Sequence, residues 1–500
     1  MFRPSLQEFE HLAADAGLVP IYREIVADLD TPLTIFAKVA GGESHAFLFE
    51  SLEGGEKWGR YSFIGLDPIV TFASRGTRIT IIRGGAVEEQ DGDPLAALQA
   101  LLKSFNACNS EMACDPELLP RFFGGAVGFL GYDMVRFMER LPERNPPLAQ
   151  FPDSSFMVPR TVLIYDNFRQ LLTVVNLVQT SGAGDIPALY AKAQAEIEEV
   201  IVRLQAPMPT EYLGGGGLKT ATPHAFTSNM SEEGFERMVE AAKEYIQAGD
   251  IIQVVLSQRF HTKTELAPFK LYRALRHINP SPYLFYLKLG DLVQIGSSPE
   301  ILVRLEQDDI ELRPIAGTRK RGKTQEEDAA LEQELLADPK ERAEHLMLVD
   351  LGRNDVGRVA QYGSVEVRDL LVVERYSHVM HLVSGVHGTL APGKDQFDVL
   401  RACFPAGTVS GAPKIRAMEI IEELEPERRG PYAGSVGYFG FSGNMDFCIT
   451  IRTFVMQGDD LWVQAGAGIV ADSVPALEYQ ETINKSMGLR RAVELAEKEF

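Results

Sequence analysis

Apolar and polar positions alternate along the chain with two periods, and the switches between them lay out the elements. Residues 5–16 carry apolar positions at helical spacing, while 20–26 and 46–51 read as strands. After a glycine turn at 54–55, short alternating runs at 60–64, 69–74 and 77–83 mark a sheet-building region. A helix is predicted over 94–104, then a glycine-rich strand over 124–132 whose small residues permit close backbone approach, and a strand pair over 157–165 and 170–178. A long helix over 186–204 follows. Periodicity then disappears through QAPMPTEYLGGGGLKTATPHAFTSN, with its run Gly214 to Gly217, as in a linker or loop. Beyond it come a helix over 231–247 opened by Ser231, a strand over 251–260, a helix over 268–278 ending before Asn279 and Pro280, and further alternation. The pattern describes an α/β chain of mixed elements without a fixed repeat. It divides into an N-terminal lobe over 1–205, a linker over 206–229 and a C-terminal domain over 230–500.

One helix stands apart. In ADPKERAEHLMLVDLGRNDVGR, residues 337–358, Asp338 has the position of an N-cap, Pro339 the first helical position and Glu341 the spacing of a capping box. Glu341 and Glu344 share a face, and Glu344 precedes Leu348 by one turn on a stripe that turns apolar. Carboxylates so placed must be solvated, protonated or neutralised by a cation. A second ExxE spacing joins Glu478 and Glu481, and two such pairs facing each other offer hard oxygen ligands suited to magnesium. The alternative is one cap residue and three solvated carboxylates.

Charge narrows the partners. With 500 residues, a net charge of −21 and a pI near 5.0, the chain can bury a large core but repels nucleic acid and anionic membrane surfaces. A small anionic substrate would need a local basic pocket. Cys108, Cys114, Cys403 and Cys448 show neither CxxC spacing nor a disulfide framework. The N-terminal segment lacks an apolar signal core and no apolar run is long enough to span a bilayer, so a cytoplasmic protein with reduced thiols is expected.

Further candidates lie near the C-terminus. Gly466, Ala467 and Gly468 end a strand with minimal side chains, leaving amides able to hold an anion. Asp472 or Ser473 is then expected to cap a helix carrying Glu478, Glu481 and Lys485 on one side, either as ligands and a cation or as a surface Glu481–Lys485 pair. A continuous strand over 447–454 would put Cys448, Thr450 and Arg452 on one face, with Arg452 partly buried and wanting a bidentate carboxylate. His381 sits among apolar residues, where a histidine is more often a core residue than a catalyst. PAGTVSGAPK, residues 405–414, lacks the ending of a phosphate-binding loop.

Taken in order, GDIIQVVLSQRF, GSSPE, RPIAGTR, AEHLMLVDLGRND, VMHLVS, PAGTVSGAPK, YAGSVGYFG, CITIRT, QAGAGIVADS and EYQETINK resemble the chorismate-utilising enzymes, the anthranilate synthases above all. The resemblance implies two orthogonally packed sheets with helices outside and magnesium held by Glu344 and Glu481, with Glu341 and Glu478 assisting. It implies that Glu300 is the general acid for the C4 hydroxyl, that Arg452 and Tyr432 bind the enolpyruvyl carboxylate, and that Gly317, Thr318, residues 466–468 and Lys485 contact the substrate's carboxylates. His381 matches a histidine of the aromatisation step, and Thr318 stands with the catalytic group. Gln253 replaces the lysine with which isochorismate and salicylate synthases activate water; an amide cannot do so, whereas ammonia needs no base. Ala316 replaces the nucleophilic lysine of aminodeoxychorismate synthases. Amination at C2 by ammonia and loss of pyruvate to give anthranilate is the implied activity. The alternatives are a 2-amino-2-deoxyisochorismate synthase, an aminodeoxychorismate synthase and a noncatalytic regulatory subunit. No glutaminase elbow is present, which implies a separate glutamine amidotransferase subunit supplying ammonia, two of each subunit forming a heterotetramer. The resemblance finally implies a tryptophan inhibitor site built from Glu50, Ser51, Pro282, Tyr283, Leu284, Val436, Gly437, Tyr438 and Cys448.

Overall fold

The computed structural model describes residues 1–52, 59–108, 119–148, 150–182, 184–212, 224–376 and 379–500; the expected turn at 54–55, Cys114 and the run Gly214 to Gly217 lie outside them. Among the described residues no helix is long and apolar enough to cross a membrane.

Most elements fall where periodicity and capping place them. Helices Leu6–Asp15, Pro94–Ser104, Ile186–Leu204 and Glu232–Gln247 open on Ser5, Asp93, Asp185 and Ser231, whose side chains accept first-turn amides. Pro268–Ile278 opens instead on its proline. Two elements carry too little signal to be read from the chain. Helix Pro32–Val39 is only 8 residues long, and strand Ala86–Asp91 is exposed throughout, so no apolar alternation marks it. The runs at 60–64 and 69–74 prove to be one strand, Tyr61–Arg75. Asp67 adopts φ 52° and the register shifts between Pro68 and Val70, so the chain bends without leaving its sheet.

That bend organises the molecule. The 22 strands of the described residues join in one antiparallel ladder, and Tyr61–Arg75 with its partner Ser154–Asp166 runs through both of its limbs. The first limb extends from the N-terminal half of Tyr61–Arg75 through His45–Glu50, Tyr283–Leu289, Leu292–Ser298, Thr453–Gln457, Asp460–Ile469 and Gln253–Lys263. The second extends from the N-terminal half of Ser154–Asp166 through Gly125–Leu130, Ser435–Gly440, Met445–Ile449, Ile301–Glu306, Asp309–Leu312 and Val379–Thr389, which also pairs with Ile315–Lys320. These limbs are the two expected sheets.

The chain crosses between limbs again at residues 299–300 and 450–452, and the crossings lie side by side, the Ile449 amide donating to the Glu300 carbonyl at 3.0 Å. One apolar core, containing Phe72, Phe129, Phe156 and Phe439, fills the interior. A second, containing Phe36, Leu163, Tyr272 and Val463, seats the helices Ile186–Leu204 and Pro475–Glu499.

Candidate active site

Glu300 and Arg452 occupy the two crossings. The expected continuous strand over 447–454 is broken: Met445–Ile449 belongs to one limb and Thr453–Gln457 to the other, with Arg452 at φ 51° between them. Cys448 and Thr450 are buried and Arg452 is half-buried, so the three are set by a corner rather than by strand alternation. Burial lowers the Arg452 guanidinium below its ordinary value, while the Tyr432 phenol group and Glu481 act in the opposite sense. Among the described residues no carboxylate forms an ion pair with it. Glu300 is 5 % exposed, and burial pushes its carboxyl up to about 8. The Thr408 hydroxyl, donating to Oε1 at 2.7 Å, and the Ile315 amide work against that rise. At pH 7 Glu300 is therefore protonated.

Helix Pro339–Gly357 begins as its sequence indicates, Asp338 accepting the Lys340 and Glu341 amides at 2.9 and 3.3 Å. Glu341 does not close a capping box. Its Oε1 takes Arg319 Nη1 at 3.0 Å, and Arg319 Nη2 also reaches Asp338 at 2.7 Å, because a guanidinium outcompetes a neutral amide for a carboxylate. Glu344 has no hydrogen bond or ion pair among the described residues. Burial first, then Glu341 and Glu481, hold its carboxyl above the usual range, with Lys485 opposing. Burial and Glu481 do the same to Glu478, whose hydrogen bond to Ser473 opposes them. The two ExxE pairs are thus electrostatically in contact across helices distant in sequence.

Neither Asp472 nor Ser473 caps Pro475–Glu499. The N-cap is Val474, without a side-chain bond, because Ser473 Oγ is used at 3.0 Å by the Val470 amide to close the preceding turn. On this helix Lys485 Nζ lies 2.5 Å from Glu481 Oε1 and donates to the Gly466 carbonyl at 3.1 Å.

A divalent cation fits this donor set by chemistry: the oxygens are hard, they raise one another's affinity for positive charge, and Glu344 lacks a partner. They do not form a ready-made cage, since no three ligating groups among the described residues converge on one point. Arg319 and Lys485 hold Glu341 and Glu481 instead.

The remaining candidates make contacts in small groups. Gly317 takes φ 66°, and a Cβ there would meet Glu341 Oε2 at 3.1 Å. Its carbonyl lies 2.9 Å from His381 Nδ1, and Thr318 Oγ1 lies 3.1 Å from the same nitrogen. Burial lowers the His381 imidazole below its ordinary value; the Gly317 carbonyl, Glu341 and Glu374 oppose this, and Arg452 adds to it. Gln253 is buried, its Oε1 has no partner among the described residues, and its Nε2 lies 2.5 Å from where a Cβ on Gly468 would stand. Tyr432 Oη approaches Gly466 in the same way at 2.8 Å, while Ala467 is buried opposite Leu256. Sequence reasoning missed Arg319 and Thr408. Both lie in segments that carry the family resemblance, RPIAGTR and PAGTVSGAPK, but no local pattern there points to Glu341 or Glu300.

A cavity lies at the pairing of His45–Glu50 with Tyr283–Leu289 and of Ser435–Gly440 with Met445–Ile449. Every residue named for the inhibitor site lies on its wall. The Glu50 carboxylate is held by the Tyr272 hydroxyl at 2.5 Å and by Arg276. The wall also carries Arg304 and Asp446, paired at 2.8 Å, with the Tyr283 hydroxyl donating to Asp446 at 2.9 Å. The periodicity gave no sign of these two, because both are inward-facing charges on otherwise apolar strands.

The chain is similar to known proteins along nearly its whole length. The family described as chorismate binding enzyme matches residues 45–491. Anthranilate synthase component 1 of Acetivibrio thermocellus is 48% identical over 99% of this chain and 99% of its own length. The protein of the same name from Aquifex aeolicus is 50% identical over 99% and 98%. The crystal structure of anthranilate synthase component I from Streptococcus pneumoniae superposes with a TM-score of 0.77 at 37% identity, covering 93% of this chain and 99% of that one. The chain belongs to the chorismate-binding enzyme family, within its anthranilate synthase component 1 group.

Proposed function

We propose that the chain converts chorismate and ammonia to anthranilate and pyruvate, with magnesium as its metal. The observation that carries this reading is Glu300, a buried carboxyl kept protonated at neutral pH on one of two adjoining crossings between the limbs, with Arg452 on the other. Such a group can give its proton to the departing C4 hydroxyl and hold the resulting charge. Arg452 and the Tyr432 hydroxyl would receive the enolpyruvyl carboxylate, which supplies the partner the guanidinium lacks. Lys485 and the amides at 466–468, with Gly317 and Thr318, would hold the other carboxylate. When bound by Glu344 and Glu481, with Glu341 and Glu478 nearby, the metal would neutralise the carboxylate cluster and attract the substrate's ring carboxylate.

Gln253 offers ammonia a carbonyl acceptor while leaving water unactivated. The Gly317 carbonyl can only accept, so His381 Nδ1 carries the hydrogen and Nε2 remains free to take the C2 proton as pyruvate leaves. Ammonia would come from a glutamine amidotransferase subunit in a cytoplasmic heterotetramer. Tryptophan would occupy the cavity walled by Glu50, Ser51 and Tyr283, using elements of the 1–205 lobe and the 230–500 domain.

The test is to incubate purified protein with chorismate, magnesium and ammonium and to follow anthranilate fluorescence and pyruvate together. Both should appear in equal amounts. An aminated product without pyruvate would move the chain to the 2-amino-2-deoxyisochorismate synthases, and binding without turnover would leave it noncatalytic.

A further inference from the structure

Thr408 lies far from Glu300 in the chain, separated from it by 108 residues, yet its hydroxyl is the one side-chain donor to the Glu300 carboxyl among the described residues. The turn that carries it, Gly407–Val409, is fixed from several sides. The Ser410 amide donates to the Gly407 carbonyl at 3.1 Å and the Ser410 hydroxyl to the Ala406 carbonyl at 2.8 Å. Arg429, itself buried and paired with Glu425, donates to the Val409 carbonyl at 2.6 Å. Gly407 rests on Leu351 of helix Pro339–Gly357, where a Cβ would come within 3.1 Å. A hydroxyl on so constrained a turn does not wander, and its hydrogen has a fixed destination.

We infer that Thr408 is a positioning residue for the general acid: by donating to Oε1 it makes that oxygen the acceptor and leaves the acid proton on Oε2. This rests on the reading of Glu300 proposed above. A protonated carboxyl has one oxygen that donates and one that can only accept, and an external donor selects between them. As the proton leaves Oε2 for the C4 oxygen and the C–O bond breaks, the negative charge spreads onto Oε1. There the bond from Thr408 becomes charge-assisted and strengthens. The same bond favours the ionised acid before substrate arrives. No charged side chain faces Glu300: apart from burial, only Thr408 and the Ile315 amide act on its carboxyl.

The experiment compares wild type with Thr408→Val, which keeps the shape, and Thr408→Ser, which restores the hydroxyl. For kcat/KM measured at constant free ammonia, the alkaline limb should fall near 8 in wild type. In Thr408→Val it should move up by about 1 pH unit, the scale of one hydrogen bond to a charged group, with kcat down about 10-fold and KM for chorismate little changed. Thr408→Ser should return both toward wild type. In parallel, the Glu300 carboxyl is titrated without substrate by 13C NMR, its signal assigned by loss in Glu300→Gln. That titration should move by the same amount. A Glu300 titration unchanged in folded Thr408→Val overturns the inference whether or not the enzyme turns over. Absence of anthranilate in wild type, with the carboxyl titration still shifted by Thr408→Val, would count against the proposed activity alone.

Discussion

Glu344 is the residue whose environment demands most. It is half-buried, unpaired and repelled by two other carboxylates. Glu344→Gln keeps its shape and removes that repulsion, so metal-free thermal unfolding should stay the same or rise while magnesium-dependent turnover falls at least about 100-fold. Near-normal turnover would place the metal elsewhere. Glu300 makes a complementary prediction for stability. Its folded carboxyl titrates at about 8 against an ordinary 4.5, so the fold binds its proton more tightly than the unfolded chain does. The stability this gives is complete below 4.5 and is lost as pH rises toward about 8, by up to ~5 kcal/mol. Glu300→Gln should flatten that part of the stability curve in denaturant unfolding between pH 5 and 8, and an identical slope in the variant would contradict it.

Between elements, the joint that matters links helix Pro339–Gly357, which carries Glu341 and Glu344, to the segment that carries Thr408. Lys414 Nζ donates to Asp355 at 2.7 Å and to the Cys403 carbonyl at 3.3 Å, with the Asp355 side chain 5% exposed. Lys414→Ala leaves that buried carboxylate without its ion-pair partner, with only Asn354 and Arg358 still acting on it, and should cost about 3 kcal/mol in urea unfolding. Lys414→Met combined with Asp355→Asn removes both charges and should cost clearly less. If the single and double variants unfold alike, the pair is not what joins the two elements. Capping shows the same dependence on neighbours. Asp338 and Pro339 start their helix as their sequence indicates, but Glu341 turns to Arg319, which arrives on strand Ile315–Lys320.

At the scale of the whole molecule, the bent ladder places the crossings that carry Glu300 and Arg452 as well as the cavity at Glu50 and Tyr283. Strands from before residue 131 and after residue 282 pair directly, so the wall of the cavity at Glu50 and Tyr283 is built from both ends of the chain. Tryptophan at about 100 times its Kd should raise the unfolding free energy by about 2.7 kcal/mol, and Ser51→Ala should reduce that gain. No stabilisation by tryptophan in calorimetry would remove it from this cavity. The sequence by itself determined the periods of its elements, most helix starts and the residue types of the site, because these depend on neighbours a few positions away. Only the tertiary structure decided that 60–64 and 69–74 are one bent strand and that Arg452 stands at a corner. It also decided that Arg319 takes Glu341 and that Thr408 meets Glu300. Each of those depends on a partner 22 to 108 residues away, or on which limb the next strand joins, and no local pattern of apolar and polar positions carries that information.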